Sequence, residues 1–89
     1  MVWGVPKNGV DTNIMTDREL IEREALLEDI LDALEDGDYE EAEDLADEAI
    51  EDFPQEAFGY YYLGEAQFFQ GDLHEAIYYY GLAIERAPD

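Results

Sequence analysis

The chain has 89 residues and no cysteine, and 25 acidic against four basic residues give a formal net charge of −21. A surface this acidic repels nucleic-acid phosphates and anionic membranes, and without Cys there is no disulfide and no cysteine-ligated metal. There is no Ser and a single His, so a Ser–His or Cys–His pair cannot be assembled within one chain. We therefore predict one small non-enzymatic domain, with no catalytic residue, no cofactor and no metal site.

Residues 1–16 are predicted to form an irregular N-terminal arm. They contain Gly4, Pro6 and Gly9 and show neither a helical nor an alternating apolar period. They also lack the continuous apolar segment of a secretory signal, and no run of 18 apolar residues exists anywhere in the chain. On these grounds we expect a cytoplasmic protein.

Residues 17–89 are predicted to form four helices and hence an all-α fold. Thr16 and Glu19 fit a capping box at the start of the first helix, and Gly37 suits the left-handed position that ends it. Asp38 is the expected N-cap of the second helix, which Pro54 ends. The third helix is expected from about residue 56 to residue 70, and the fourth from residue 73 to the segment before Pro88.

Apolar residues recur at helical spacing and predict the buried faces. The first helix presents Leu20, Leu27, Ile30, Leu31, Ala33 and Leu34. The second presents Tyr39, Ala42, Leu45, Ala46, Ala49, Ile50 and Phe53, and the fourth Leu73, Ala76, Ile77, Tyr80, Ala83, Ile84 and Ala87. The only histidine, His74, is expected at the surface.

The second and fourth helices repeat at an offset of 34 residues. The matched pairs are Gly37/Gly71, Asp38/Asp72, Glu41/Glu75, Ala42/Ala76, Ala49/Ala83, Ile50/Ile84 and Pro54/Pro88. A helix–turn–helix unit of 34 residues is the period of the tetratricopeptide repeat. The alternative is an ordinary four-helix bundle with a chance repeat.

The chain resembles the tetratricopeptide repeat family over about three quarters of its length. The residues that carry the resemblance in 57–89 are Tyr60, Leu63, Gly64, Gly71, Asp72, Leu73, Glu75, Ala76, Ile77, Tyr80, Ala83 and Pro88, while Gln67 departs from the family's aromatic. Residues 23–56 resemble a weaker copy, in which Ile30 stands where the family has Gly. The resemblance implies two tandem helical hairpins, a fragment of an α-solenoid. Small residues at Gly64, Ala66, Ala76 and Ala83 should let the helices approach closely, with Tyr60, Leu63, Ile77, Tyr80 and Ile84 filling the remaining space.

The resemblance also implies a concave groove, lined by the first helix of each hairpin, that binds a peptide or helix. The corresponding positions are Leu27, Leu31, Leu34, Phe58, Tyr61, Tyr62, Glu65, Phe68 and Phe69. None is Lys, Arg or Asn, so a clamp for a ligand carboxylate is not expected, and an aromatic, acidic groove suits an apolar or basic segment. In the alternative interpretation the chain is a structural element, whose aromatic residues form the core or serve only self-association.

Charge is segregated along the chain. Residues 17–56 carry 19 acids and two Arg, whereas residues 57–89 carry five acids, one Arg and nine of the twelve aromatic residues. The acidic run is consistent with adaptation to high salt, with a face for a basic partner, or with mimicry of nucleic acid. Because stacked repeats need about three units to bury a continuous core, we also expect a homodimer that uses residues 57–89.

Overall fold

The computed structural model describes residues 15–87, and within them it contains four helices and no strand. The helices are α1 (Asp17–Glu35), α2 (Tyr39–Asp52), α3 (Phe58–Phe69) and α4 (Leu73–Arg86). The prediction of an all-α fold made of helical hairpins is thus confirmed. Residues 1–14 of the predicted arm lie outside the described residues. None of the described helices combines the length and the apolar character that crossing a membrane requires.

In the first hairpin, which consists of α1 and α2, the predicted capping residues lie at the predicted helix ends. The Thr16 backbone N–H donates to Glu19 Oε1 at 2.9 Å, and the Glu19 N–H donates to Thr16 Oγ1 at 3.1 Å, which completes the capping box. Gly37 has φ +75°, a conformation that a Cβ atom would strain. The Asp38 carboxylate accepts from the Glu41 N–H at 3.3 Å at the start of α2.

The third helix begins later than the sequence suggested. Its first residue is Phe58, because the chain after Pro54 first makes a turn in which the Glu56 N–H donates to the Phe53 carbonyl at 3.0 Å. Two residues of the expected helix therefore belong to the connection between α2 and α3.

The helices pack in chain order. Each helix packs against the next, α1 also touches α3, and α4 packs against α3 alone among the described helices. The main core is formed by α1, α2 and α3 and consists of Leu26, Ile30, Ala46, Ala49 and Leu63. A second cluster of buried residues contains Ala33, Ala42 and Ala66. The core thus lies where the first hairpin meets α3, and α4 stands at one end of the stack.

Small residues permit the close approach between helices, as predicted. A Cβ atom on Gly64 would lie 2.9 Å from the Tyr80 ring and 3.2 Å from the Ala76 carbonyl oxygen. Ala66, Ala76 and Ala83 are buried as well. The α3–α4 hairpin therefore closes around the tyrosine that lies on Gly64.

Two of the bulky residues expected to fill this hairpin do not do so. Ile77 is 68% exposed and Ile84 is 75% exposed. The predicted apolar face of α4 is wide: its alanines are buried against α3, whereas its isoleucines lie to one side of that contact and stay exposed. The prediction was wrong here because the width of a helical apolar stripe does not say which half finds a neighbour.

The buried face of α1 is also displaced from the predicted stripe. Leu20 and Leu31 are 45% and 41% exposed, whereas Leu26, which the stripe did not include, is 7% exposed. Ile30 and Ala33 are buried as expected. Adjacent residues are about 100° apart around a helix, so a one-residue error in choosing the stripe moves the whole face. His74 is exposed, as predicted.

Candidate functional site

A groove of about 940 Å³ runs along the exposed face of α3. We call it the α3 groove. Its lining residues come from α1, from the α2–α3 connection, from α3 and from α4: Arg23, Gln55, Glu56, Ala57, Phe58, Tyr61, Tyr62, Glu65, Tyr80, Ala83, Ile84, Arg86 and Ala87. The volume falls within the range of concave ligand sites in proteins.

The floor of the groove is one face of α3. Phe58, Tyr61, Tyr62 and Glu65 are spaced i, i+3, i+4 and i+7, which places their side chains on the same side of a helix. The Tyr61 and Tyr62 rings meet edge to face, with centroids 4.8 Å apart. Tyr62 also packs against the main core, so its ring orientation is fixed by the fold.

A carboxylate lies among the tyrosines. The Tyr80 hydroxyl donates to Glu65 Oε2 at 3.0 Å, and the Tyr80 and Tyr61 ring centroids are 5.8 Å apart. Burial, followed by the hydrogen bond to Glu65 and its negative charge, raises the pKa of Tyr80 to about 12. The pKa of Tyr61 is also raised, first by hydrogen bonding to Glu65 and then by its charge. Both phenols therefore stay protonated at neutral pH, and Glu65 retains capacity to accept further donors.

Two of the four basic residues of the chain line the groove, and both are engaged within the fold. Arg23 Nε donates to Glu56 Oε1 at 2.7 Å, and its guanidinium lies 4.9 Å from the Phe58 ring centroid. Arg86 Nε donates to the Pro54 carbonyl at 2.9 Å, and its guanidinium lies 4.2 Å from the Tyr60 ring centroid. These arginines hold α1 and the end of α4 against the α2–α3 connection.

The structure brings four of the nine sequence-predicted groove residues into the α3 groove: Phe58, Tyr61, Tyr62 and Glu65. Phe68 and Phe69 lie at the far end of α3, where Phe69 stacks on Tyr39 at 5.4 Å. Leu34 packs against the core, Leu27 is half-buried, and Leu31 is 41% exposed on α1. The predicted set therefore splits between the groove, the end of α3 and α1.

Sequence reasoning missed the walls of the groove. The α4 wall is formed by Tyr80, Ala83 and Ile84, which were assigned to the core, and the rim includes Arg23 and Arg86, which were not considered. One signal was available for the arginines. In a chain with only four basic residues, an Arg at each end of the hairpin region is unexpected unless it has a specific partner.

Within residues 15–87 no group of three or more His, Asp or Glu side chains is placed to hold a metal ion. What the groove does offer is aromatic surface, phenol hydroxyls and one carboxylate, which suit binding.

Residues 57–89 match the family model of the tetratricopeptide repeat, which confirms the resemblance for the second hairpin. The comparisons with curated proteins and with solved structures gave no match. Repeats of this family mediate protein–protein interactions and are not catalytic. The four described helices are consistent with two such repeats, and the exact division at about 23–56 and 57–89 stays a prediction.

Proposed function

We propose that this protein binds a protein partner by holding an apolar or basic segment of it in the α3 groove, without catalysis. The observation that carries the proposal is the placement of Glu65 between Tyr61 and Tyr80 on an open aromatic floor. A lysine or arginine side chain entering there meets a carboxylate acceptor, and its aliphatic stem lies along tyrosine rings.

The charge of the surroundings supports a basic rather than an acidic ligand. The chain has a net charge of −21, which attracts a cationic segment over a distance set by ionic strength. The groove arginines are already paired with Glu56 or with the Pro54 carbonyl. A ligand carboxylate would therefore compete with contacts that hold the fold together.

Two further parts of the proposal concern the cell. We expect the protein in the cytoplasm, and we expect its acidic first hairpin to serve either a high-salt environment or a basic partner. The groove function depends on neither of these expectations.

The experiment is a calorimetric titration of the full chain with three short peptides of equal length, one basic and aromatic, one apolar and one acidic. We expect the basic peptide to bind most tightly and the acidic peptide not to bind. The substitution Glu65→Gln should weaken binding of the basic peptide by about tenfold, the equivalent of ~1.4 kcal/mol, because one charge-assisted hydrogen bond is lost. The same variant should bind the apolar peptide with nearly unchanged affinity.

Tyr61→Ala tests the aromatic floor, and Tyr78→Ala is its matched control. Both tyrosines are exposed, at 43% and 61%, but Tyr78 lies on α4 outside the groove. Loss of binding in Tyr61→Ala with retention in Tyr78→Ala supports the proposal. Preference for the acidic peptide, or equal effects of the two substitutions, would contradict it.

A further inference from the structure

The first ten residues of the N-terminal arm differ in chemistry from the rest of the chain. Residues 1–10 are the longest stretch without an acidic residue, and they contain Lys7, the only lysine, and Trp3, the only tryptophan. Val2 and Val5 add further apolar side chains. This stretch lies outside the described residues, and its composition is both apolar and basic. That is the chemistry that the α3 groove suits.

The carboxylate of the groove has no cation beside it in the described part of the chain. Each of the three arginines in residues 15–87 already has an acceptor in the fold: Glu22 for Arg18, Glu56 for Arg23 and the Pro54 carbonyl for Arg86. Glu65 accepts from the Tyr80 hydroxyl and forms no ion pair among residues 15–87. Lys7 is the remaining cation of the chain.

The arm joins the fold at one end of the groove. The Arg23 guanidinium lies 4.9 Å from the Phe58 ring centroid, near the start of α1 and at the start of α3. Farther along both helices, Ala33 and Ala66 belong to the same buried cluster. Since α1 and α3 run in the same direction, residues 1–14 precede α1 at the Phe58 end of the groove.

The arm is long enough for Lys7 to reach Glu65. Thr16 precedes Arg23 by seven residues and Phe58 precedes Glu65 by seven, and each such helical segment is ~10 Å long. Packed helix axes lie ~10 Å apart, so Thr16 and Glu65 are separated by ~20 Å along the helices and ~10 Å across them. The nine residues from Lys7 to Thr16 span up to ~30 Å when extended.

We propose that residues 1–10 occupy the α3 groove of their own chain, with the Lys7 ammonium against the Glu65 carboxylate and Trp3 on the exposed aromatic floor. The inference rests on the proposed function, because the arm supplies from within the chain the apolar and basic segment that the groove is proposed to bind. The buried tryptophan surface and the ion pair with Glu65 both favour the occupied state.

Tethering makes the arm an effective competitor. A segment joined to its site by a short linker is present at an effective concentration of the order of millimolar, so a weak contact is enough to fill the groove. An external ligand must displace the arm, and its apparent affinity is lowered in proportion to the fraction of molecules with an open groove. The arm therefore regulates access to the groove.

The first test uses the fluorescence of the full chain without any peptide, since Trp3 is the only tryptophan. Its emission should be shifted to the blue relative to free tryptophan and protected from quenching by acrylamide. Glu65→Gln and Tyr61→Ala should each shift the emission to the red and increase quenching. Tyr78→Ala, on α4 outside the groove, should change neither. The emission should not depend on protein concentration, because the arm and the groove belong to one chain.

The second test is a calorimetric titration of the full chain with the basic aromatic peptide. Lys7→Gln should strengthen binding of this peptide by about fivefold, because the groove is open in a larger fraction of molecules. Arg18→Gln is the matched control, since it also removes one positive charge and the Arg18 side chain is 87% exposed. It should change the affinity by less than about twofold.

Three results would each overturn the proposal. These are a solvent-exposed Trp3 in the wild type, equal effects of Lys7→Gln and Arg18→Gln, and a blue shift that grows with protein concentration, which would indicate the arm of a second copy. The fluorescence test needs no peptide. A groove that binds no peptide and an arm that leaves the groove open are therefore separate results.

Discussion

The two hairpins, α1–α2 and α3–α4, share a repeat of 34 residues, but the large and the small residue of one contacting pair are exchanged between their two helices. In the first, a large residue on α1, Ile30, is fully buried beside a small one on α2, Ala46. In the second, the equivalent positions are a small residue on α3, Gly64, and a large one on α4, Tyr80. The large side chain thus lies on the first helix of one hairpin and on the second helix of the other.

This exchange has a consequence for function. A large residue on the second helix can reach past its neighbour, and Tyr80 thereby contributes to the α3 groove and meets Glu65. The first hairpin has Ala46 there, buried under α3. The swap that keeps the core filled therefore also places a hydroxyl in the groove.

The largest expected effect on stability comes from introducing into the second hairpin the pair of residue sizes found in the first. Gly64→Ile should destabilise the protein by ~3 kcal/mol, because its Cβ alone would lie 2.9 Å from the Tyr80 ring. Adding Tyr80→Ala should recover at least ~1 kcal/mol, since it recreates the Ile30–Ala46 pair. Chemical denaturation of the single and double variants measures this coupling.

The control for that experiment is Gly81→Ala, at a helical glycine with open space around it. It should stabilise the protein by ~1 kcal/mol. If Gly64→Ile lowered the free energy of unfolding no more than Gly81→Ala does, the exchange of large and small residues between the hairpins would not contribute to stability.

The next comparison is between equivalent isoleucines. Ile50→Ala should destabilise the protein by ~2 kcal/mol, because Ile50 packs against the core under α3. Ile84→Ala should change stability by less than ~0.5 kcal/mol, because Ile84 is 75% exposed. Equal losses in thermal unfolding would mean that α4 is covered within a single chain.

The acidity of the first hairpin gives a smaller effect. Pairs such as Glu40–Asp44 and Glu48–Asp52 are like charges one helical turn apart, and the pKa of Asp47 is raised by partial burial and then by Asp44 and Glu51. Each such pair is unfavourable by a few tenths of a kcal/mol. Raising NaCl from ~0.1 to ~1 M should therefore raise Tm by about 5 °C.

Asp47→Asn provides the comparison for the salt series. Because the charged form of Asp47 is disfavoured in the fold, the amide should raise Tm at low salt and reduce the response to NaCl. A Tm that is flat or falls with salt in the wild type would show that the acids are already compensated.

The smallest effect concerns Tyr80, which has no counterpart in the first hairpin. Its raised pKa means that the folded state favours the neutral phenol, so this contribution to stability is complete below pH ~10. It is lost as the pH rises through about 12. Ultraviolet titration should show a late-ionising tyrosine that Tyr80→Phe removes and Tyr78→Phe leaves in place. Glu65→Gln should lower the pKa of Tyr80, and an unchanged titration would contradict the contact.

The sequence by itself determined the local structure of this protein. Thr16 with Glu19, Gly37 and Asp38 define helix ends through hydrogen bonds and backbone angles that involve only neighbours in the chain, so these features could be read directly. The 34-residue period followed from the same local signals repeated. The aromatic face of α3 was also predictable, because it depends on spacing within one helix.

Tertiary structure decided which half of each apolar face is covered. Leu26 rather than Leu31 is buried on α1, and Ile77 and Ile84 are exposed, because burial depends on where the next helix lies and not on the pattern of one helix. The same holds for the groove, where Arg23 and Tyr80 come together from positions 57 residues apart in the chain. Spacing fixes directions around a single axis, and only packing fixes the distances between axes.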